Sequence, residues 1–430
     1  MHRFIFFLGF LCFLLVSSTS ATSQFKPKAL VLPISKDAST KQYVITINQR
    51  TPRVAVKTSL DLGGHYLWVD CDDGKYVSST YNPVRCRTAA CKLAGSYACG
   101  VTCNSPPRPG CNNNTCGVTI DNPLPLVRTS TNGDLGQDIV SIRSTNGYYP
   151  GKEVFASNVL FGCGSSPVMK GLPQGAQGFA GFGRSLASFP FQLSSAVKVA
   201  KKFAICLSSF REGAIFVGGG PYVPIQRWDI STHLSYTPLI LNPVSTAGSY
   251  FVGESSTDYF INLTSILVNG DPLKLNTSLL TIDKNGVGGT KLSSVVPYTV
   301  LQTSILRALI IPYSKVLTQV PAVKPFEFCF KSVGSNRVGP TVPPIDFVLH
   351  NNDTVWRMWG ANSMVEVAPG ILCLAFVDGG LNPQTAVVIG GYQMENNLLE
   401  FDLPAARLGF SSSLLFTQTT CANFNFTASE

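Results

Sequence analysis

The feature that most limits how this chain can fold is a coarse duplication of its two halves. In the first half a strand-like run leads into a loop of small residues, within Ser59–Cys71 ("SLDLGGHYLWVDC"). In the second half a similar run leads into Gly289–Thr299 ("GTKLSSVVPYT"). Each loop is followed later by apolar residues and glycine, in Phe179–Gly183 and in Ala386–Gly391. This pattern predicts two similar halves that each bring one loop to a shared cleft.

Short alternating or apolar runs dominate the chain, for example Tyr43–Ile47 and Val54–Leu62, and Gly, Pro, Asn and Asp separate them. Such runs are typical of strands, and 38 glycines and 28 prolines favour sheets and turns over helices. Two short helices are expected, near residues 186–199 and 299–317. The sequence therefore predicts an all-β fold, and 430 residues suffice for two lobes with buried cores.

The first residues predict a secretory signal peptide at residues 1–23. Met1–Arg3 gives a positive start, and Phe4–Val16 is an unbroken apolar run that is too short to span a bilayer. A small, polar run follows, with a plausible cleavage point after Ala21 or Ser23. No later segment approaches the length of an apolar membrane span, so we expect a soluble, secreted protein without a membrane partner.

Cysteine usage points to the same compartment. Cys12 leaves with the signal peptide, and an even number of cysteines in a secreted chain predicts about six disulfides. Short spacings within the first seven remaining cysteines are also compatible with zinc, but no histidine lies among them. We therefore expect neither a metal nor another cofactor. The twelve remaining cysteines are Cys71, Cys86, Cys91, Cys99, Cys103, Cys111, Cys116, Cys163, Cys206, Cys329, Cys373 and Cys421.

The charge balance limits the class of partner. Without Arg3 the chain has 32 basic and 24 acidic residues, a formal charge of +8. No basic stripe with interleaved aromatic residues is present, so nucleic acid is not an expected partner. The excess is either scattered without a role, or it promotes weak adhesion to an acidic cell-wall polysaccharide such as pectin or steers the protein toward an acidic partner. Five N-x-S/T sequons fit an exported glycoprotein. They begin at Asn113, Asn262, Asn276, Asn352 and Asn425.

Several motifs resemble, in the same order, those of plant pepsin-like aspartic peptidases. "LDLGGHYLWVDC" is similar to the first active-site strand, in which a hydrophobic residue precedes Asp-Thr-Gly-Ser. "GGTKLSSVVPYT" is similar to the second active-site strand, and "VVIGGYQMENNLLEFDLPAARLGFS" is similar to the closing strands. The resemblance implies a bilobal pepsin-like fold with a central cleft. It also implies an N-terminal lobe at residues 24–222 and a C-terminal lobe at residues 223–430.

The two active-site motifs differ in their acids. Asp61 stands where the family has its first catalytic aspartate, but Ser293 falls where the second should be. Peptide hydrolysis in this fold needs two carboxylates that share a proton, which a serine hydroxyl cannot replace. Asp283, interpreted as the only acid shortly upstream, lies in an expected hairpin turn. The family's flap tyrosine is also missing, since no tyrosine lies between Tyr97 and Tyr148. We therefore predict no peptidase activity and a structural, hydrogen-bonded role for Asp61.

Both ends of the mature chain resemble a narrower branch, the extracellular dermal glycoprotein and the xyloglucan-specific endoglucanase inhibitor proteins. The matching runs are "FKPKALVLPISKDASTKQYVITINQRTP" and "TTCANFNFT". This resemblance implies a plant apoplast or cell-wall protein that defends against microbes. Its expected partner, in a one-to-one complex, is a cell-wall-degrading glycoside hydrolase such as a family-12 xyloglucan-specific endo-β-1,4-glucanase, or a xylanase. It further implies the disulfides Cys329–Cys373 and Cys206–Cys421.

Two alternatives to an inhibitor stay open. A seed-globulin-like storage or ligand-binding protein would keep the fold without an enzyme partner. A peptidase would need Asp61 to work with an unrecognised second group.

An inhibitor of a retaining glycosidase has to block two carboxylates about 5 Å apart. The fork of an arginine can bond both acids. By resemblance, the residues in the matching C-terminal loops are Arg337 and Gln418, and glutamine at the second position departs from the arginine of the family. Arg337 is either such a probe or an ordinary solvated arginine. Leu414, Leu415 and Phe416 are either apolar contacts for the enzyme or part of a core strand.

Overall fold

The computed structural model of the protein describes residues 25–96, 98–100, 103–225, 228–250 and 252–426, with the side chain of Asp73 excluded. The expected signal peptide lies outside the described residues. The structure is 39% strand and 14% helix, which confirms the all-β prediction.

The described part of the first half contains twelve strands. They are β1 (Ala29–Lys36), β2 (Tyr43–Gln49), β3 (Val54–Asp61), β4 (Leu67–Asp70), β5 (Asn82–Pro83), β6 (Ala98–Gly100), β7 (Thr115–Asn122), β8 (Thr129–Thr145), β9 (Pro150–Gly164), β10 (Gly178–Gly181), β11 (Lys202–Cys206) and β12 (Gly213–Val217).

The described part of the second half contains eighteen strands, most of them shorter. They are β13 (Ser235–Ile240), β14 (Phe260–Ile261), β15 (Ser265–Val268), β16 (Asp271–Pro272), β17 (Thr290–Leu292), β18 (Thr299–Leu301), β19 (Gln319–Val320), β20 (Cys329–Lys331), β21 (Ser335–Asn336), β22 (Gly339–Pro340), β23 (Ile345–Val348), β24 (Val355–Met358), β25 (Met364–Ala368), β26 (Ile371–Leu374), β27 (Phe376–Asp378), β28 (Val387–Ile389), β29 (Leu398–Asp402) and β30 (Arg407–Phe410).

The helices of the described residues are short. The α-helices are α1 (Ala89–Leu93), α2 (Phe189–Val197), α3 (Thr303–Val316), α4 (Gly360–Ser363) and α5 (Gly391–Met394). Single 3₁₀ turns occur at Asp72–Gly74, Ser166–Met169, Ile230–His233, Thr277–Leu280, Leu414–Thr417 and Cys421–Asn423. None of these helices is long and apolar enough to cross a membrane.

The two expected helices are α2 and α3, and α3 begins later than the sequence indicated. Residues near 299 instead form strand β18, and the helix starts after Gln302, whose side chain accepts a hydrogen bond from the Ser304 N–H at 2.6 Å. Ile305, Leu309 and Tyr313 recur every four residues and are buried. This helical spacing places one apolar face against the core.

The closing strands of the two halves join. β11 pairs antiparallel with β29, with Phe203 opposite Phe401. The two rings stack at 4.6 Å between centroids. A disulfide between Cys206 and Cys421 reinforces this junction. A twenty-stranded sheet therefore runs through the described parts of both halves.

All twelve cysteines of the expected mature chain are paired. Cys206–Cys421 and Cys329–Cys373 are the pairings that the resemblance implied. The other eight cysteines close loops within the first half. Their pairs are Cys71–Cys163, Cys86–Cys99, Cys91–Cys116 and Cys103–Cys111. This disulfide-rich framework fits a secreted protein.

Candidate functional site

Two equivalent strand ends form part of the wall of a cleft. β3 pairs in parallel with β10, and Asp61 lies opposite Gly181. β17 pairs in parallel with β28 as far as Leu292 opposite Ile389. The next N–H, that of Ser293, donates to the Ile389 carbonyl at 2.9 Å. Asp61 and Ser293 thus occupy matching ends of two parallel strand pairs, and both line the cleft.

One serine hydroxyl connects these strand ends across the two halves. The Ser294 hydroxyl donates to the Leu60 carbonyl at 2.8 Å and accepts from the Leu62 N–H at 3.0 Å. Ser294 is only 2% exposed, so water does not compete for these bonds. Because Leu62 has no hydroxyl, its side chain cannot return such a bond to the second half. The connection is one-sided.

Asp61 is 8% exposed, and its Oδ1 accepts a hydrogen bond from the Gly63 N–H at 2.9 Å. Burial raises the pKa of Asp61 to about 7. The Gly63 N–H and the Lys291 ammonium oppose the rise, and the carboxylates of Asp258 and Asp121 add to it. The loop hydrogen bond expected for Asp61 is present, but the acid is only partly ionised near neutral pH.

The second half supplies a different acid to the cleft, Asp258. Its Oδ2 lies 2.7 Å from Lys291 Nζ, and the two side chains are 15% and 16% exposed. The hydroxyls of Thr246 and Ser256 donate to the same oxygen. Burial opposes ionisation, but Lys291 and these hydrogen bonds hold the pKa of Asp258 below its ordinary value. Asp258 is therefore ionised at neutral pH and paired with Lys291.

Asp283 is the acid nearer in sequence to the second motif, but the acid that the second half brings to the cleft is Asp258. Asp258 lies farther upstream, and it reaches the cleft because β14 begins two residues later at Phe260 and pairs with β17. Asp283 occupies a turn, as expected, where its Oδ1 accepts two backbone N–H groups. It does not line the cleft.

Two glycines allow the acids to pack against the first loop. A Cβ at Gly63 would lie 2.2 Å from Asp258 Oδ1. A Cβ at Gly64 would lie 2.7 Å from Gly181 Cα and 2.9 Å from Asp61 Oδ2. Any side chain at either position would displace a carboxylate or the neighbouring strand, so this close approach requires glycine.

A β-hairpin lies beside the cleft. β7 and β8 pair antiparallel, and the cleft lining includes Asp121, near the end of β7, and Arg128, just before the start of β8. The Tyr66 hydroxyl donates to the Thr119 carbonyl of β7 at 2.5 Å. This bond joins the hairpin to the loop that follows Asp61.

The carboxylate of Asp121, on the hairpin, has few groups around it that stabilise a negative charge. Its Oδ1 is buried and has no hydrogen bond to a described residue. Burial raises the pKa of Asp121 to about 6, and Glu254 adds to the rise. Glu254 itself lies 3.4 Å from His65 Nε2. Burial lowers the pKa of His65, although Glu254 and Asp258 oppose this effect.

These elements enclose a cavity of about 470 Å³. Its apolar walls include the buried rings of Tyr66, Trp68 and Phe179. The volume lies within the range of roughly 300–1,000 Å³ that is typical of small-molecule sites. In the part of the chain that the structure describes, no group of three or more His, Cys, Asp or Glu side chains is placed to hold a metal ion.

A second candidate site lies outside the cleft lining. Arg337 is exposed between β21 and β22, and its Nη1 donates to the Phe416 carbonyl at 3.3 Å. The Phe416 ring is stacked on Trp359 at 6.0 Å between centroids. The Arg357 guanidinium lies 5.4 Å from the Trp359 centroid. We call Arg337, Arg357, Trp359 and Phe416 the arginine–aromatic surface.

The structure separates the residues of the segment that precedes Gln418. Leu414 is 1% exposed and belongs to the core, Leu415 is partly buried, and Phe416 is 57% exposed. Gln418 is exposed directly after the 3₁₀ turn Leu414–Thr417. The core interpretation is therefore right for Leu414 and wrong for Phe416, and the segment is not a strand.

The sequons differ in accessibility. Asn113, Asn276 and Asn352 are exposed, whereas Asn262 and Asn425 are partly buried. Glycosylation at all five positions stays a prediction.

Comparison with known protein families shows to which family this chain belongs. A family model described as "Xylanase inhibitor N-terminal" matches residues 43–219, and one described as "Xylanase inhibitor C-terminal" matches residues 258–412. The chain belongs to this xylanase-inhibitor-like family of pepsin-like proteins. The family assignment inferred from the motifs is confirmed.

Individual relatives support the family and its fold. "Probable aspartic proteinase GIP2" of Nicotiana benthamiana is 52% identical, over 97% of each chain. "Gamma conglutin 1" of Prunus dulcis is 42% identical, over 99% of this chain and 97% of that one. The crystal structure of EDGP matches with a TM-score of 0.91 and 48% identity, over 94% of this chain and 100% of that one.

These relatives confirm the bilobal pepsin-like fold of the family, and they include storage-type proteins. The soybean basic 7S globulin structure matches with a TM-score of 0.79 and 33% identity, over 94% of this chain and 100% of that one. Together with the inhibitor family models, they support a non-catalytic pepsin-like protein. The lobe boundary at residues 222 and 223 stays a prediction.

Three residues of the cleft were missed from sequence: Asp121, Asp258 and Lys291. A signal was present for Lys291. It lies two residues before Ser293, so both side chains point to the same face of the strand. A lysine on a face that is buried in a cleft requires an acidic partner.

Proposed function

We propose that the protein is a secreted plant-defence inhibitor of microbial cell-wall-degrading glycoside hydrolases, acting in the apoplast or cell wall. The first target to test is a family-12 xyloglucan-specific endo-β-1,4-glucanase, bound one-to-one. The xylanase-inhibitor family models support this class of partner.

The observation that carries the proposal is the hydrogen bond between Arg337 Nη1 and the Phe416 carbonyl. It joins two loops that are 79 residues apart in the chain, so the arginine is held beside an exposed aromatic ring. A held guanidinium loses less conformational entropy on binding than a free one. It can therefore enter an acidic groove and bond the two carboxylates of a retaining glycosidase.

The neighbouring groups suit such a contact. Phe416 and Trp359 offer a stacked apolar surface, and aromatic residues with arginine are the usual anchors of protein interfaces. Gln418 lies close in sequence to Phe416 and stands where the resembling inhibitors have arginine. It can hydrogen-bond a glutamate but cannot neutralise it, so we expect binding weaker than a two-arginine site would give.

The absence of peptidase activity belongs to the same proposal. Ser293 takes the place of the second catalytic aspartate, at the strand end that matches Asp61. Asp258 does not substitute for that aspartate, because a carboxylate paired with Lys291 at 2.7 Å stays ionised and cannot share a proton with Asp61. A peptidase assay with a statine-type inhibitor as control should detect no inhibitor-sensitive cleavage.

The deciding experiment titrates a purified family-12 endoglucanase with the wild-type protein and with Arg337→Ala. We expect one-to-one inhibition that weakens at least tenfold in the variant, roughly 1.4 kcal/mol, because the charged probe is lost. Gln418→Arg should strengthen inhibition. Arg143→Ala is the matched control, since Arg143 is an exposed arginine on β8 in the other half.

Other outcomes point elsewhere. Equal weakening by Arg143→Ala would indicate a general charge effect and contradict the probe. A wild-type protein that leaves the endoglucanase unaffected would overturn this target, and family-11 xylanases would be tested next. If no glycoside hydrolase forms a stoichiometric complex, the gamma conglutin and 7S globulin relatives favour the alternative of a storage or ligand-binding protein.

A further inference from the structure

We propose that the cleft is a binding site for a small organic cation, an ammonium or amidinium group on a flat apolar body, with Asp61 as its main counter-charge. This site is separate from the inhibitory surface, since none of Arg337, Phe416 and Gln418 lines the cavity.

The first argument is an incompletely paired, buried carboxylate. Asp61 is more than nine-tenths buried, and its Oδ1 accepts the Gly63 N–H. Its Oδ2 has no hydrogen bond to any described residue. A buried carboxylate with one hydrogen bond and no ion pair is incompletely stabilised, so the group either takes up a proton or binds a cation.

The second argument is the charge balance around Asp61. Asp121, from the hairpin, is a second incompletely paired acid, with an Oδ1 that bonds no described residue. Lys291 is engaged with Asp258 at 2.7 Å, and His65 faces Glu254 at 3.4 Å. Arg128 reaches the cleft from the hairpin but is exposed to solvent. Within the described residues, neither Asp61 nor Asp121 forms an ion pair, so the cavity has two carboxylates without a directly bonded cation.

The third argument is the shape of the site. The cavity of about 470 Å³ suits a small molecule and not a folded partner. Trp68 and Phe179, whose ring centroids are 5.6 Å apart, contribute apolar wall to it. A cation on a flat ring places its charge at Asp61 and its apolar body against such walls.

Protons compete with the cation for the same carboxylates. Burial raises the pKa of Asp61 to about 7 and that of Asp121 to about 6. Below these values both acids are largely protonated, so cation affinity must rise as pH rises through them. Asp258, whose pKa is lowered, stays ionised over this range and remains paired with Lys291. His65 loses its charge as pH rises, which acts in the same direction, so the effect of Asp61 has to be isolated by substitution.

The experiment compares benzamidine with benzamide, a neutral molecule of nearly the same shape, by calorimetric titration of the full protein. At about pH 8 we expect one site that binds benzamidine at least tenfold more tightly than benzamide. Benzamidine affinity should fall at least tenfold between about pH 8 and pH 5, because Asp61 is then protonated. Asp61→Asn should remove both the preference for the cation and most of the pH dependence.

The controls keep the test decisive. Asp271→Asn changes an exposed acid of β16 and should bind benzamidine as the wild type does. If Asp61→Asn does not fold, Asp121→Asn should still weaken benzamidine binding. No measurable binding at millimolar benzamidine, equal binding of benzamide, or undiminished binding by both cleft variants would overturn the proposal. Loss of binding by Asp271→Asn would do so as well. Because the cleft lies outside the arginine–aromatic surface, neither cleft variant should alter glycosidase inhibition.

Discussion

The two strand ends of the cleft differ in a complementary way. The first has a carboxylate, Asp61, and no hydroxyl at the next position, Leu62. The second has no carboxylate at Ser293 but a buried hydroxyl at Ser294 that bonds Leu60 and Leu62. The hydroxyl that joins the two halves and the carboxylate that would do chemistry are therefore independent features of these loops. One hydroxyl still connects the two strand ends although the second strand end has a serine and no carboxylate.

The acids of the two halves also differ in how they are compensated. Asp258 has Lys291 and two hydroxyls, and its pKa lies below the ordinary value. Among the described residues, the carboxylate of Asp61 accepts a hydrogen bond only from the Gly63 N–H, and burial raises its pKa to about 7. The second half thus contributes a carboxylate that is already paired with a lysine. The first half contributes a carboxylate that can still bind a proton or a cation.

The largest effect on stability should come from removing the lysine of the Lys291–Asp258 ion pair. Lys291→Met leaves the Asp258 carboxylate largely buried without its cation, which should lower the free energy of unfolding by about 3–5 kcal/mol. Denaturant unfolding at neutral pH measures this. Lys284→Met, which changes an exposed lysine, should cost little. Adding Asp258→Asn to Lys291→Met should restore part of the loss, whereas a Lys291→Met protein as stable as the wild type would show that the pair does not stabilise the fold.

Asp61→Asn should change the free energy of unfolding by a slightly smaller amount, about 2–4 kcal/mol, and the change should depend on pH. Because the pKa of Asp61 is raised, the folded protein retains a proton that the unfolded chain releases between about pH 4 and pH 7. This contribution is complete below about pH 4 and is lost as pH rises through about 7. The variant should therefore gain stability relative to the wild type over that range.

Unfolding free energies measured at several pH values check this prediction. Asp121 and His65 titrate in both proteins, so their contributions largely cancel in the difference. Asp258 titrates below this window, because its pKa is lowered. A constant difference between wild type and variant from pH 4 to pH 8 would contradict the raised pKa of Asp61.

Local patterns were enough to predict the main elements and both strand ends. β2 and β3 lie where alternating runs indicated, and the resemblance of the two loops to aspartic-peptidase active-site motifs predicted the matching positions of Asp61 and Ser293. Such elements depend on backbone hydrogen bonds and a repeating apolar pattern, which neighbouring residues determine.

The partners of the site residues could not be predicted in the same way. Lys291 pairs with an acid 33 residues away, and Arg337 bonds a carbonyl 79 residues away. Nothing in the local sequence of Lys291 distinguishes Asp258 from Asp283 as its partner. Only the pairing of β14 with β17 brings Asp258 to the cleft. Strand pairing between distant segments therefore determines which charged groups meet in the cleft, while the local sequence pattern determines where the strands and helices form.

The smallest effect should come from the serine hydroxyls, and it tests the opening comparison most directly. Ser294→Ala removes the group that accepts the buried Leu62 N–H and donates to the Leu60 carbonyl, so it should cost about 1–3 kcal/mol. Ser293→Ala is the matched control. Its backbone N–H keeps its bond to Ile389, so the cost should be below about 0.5 kcal/mol. If both substitutions cost the same, the hydroxyl of Ser294 does not join the halves. If only Ser294→Ala destabilises the protein, the second strand end serves as a structural connection that does not need a carboxylate at position 293.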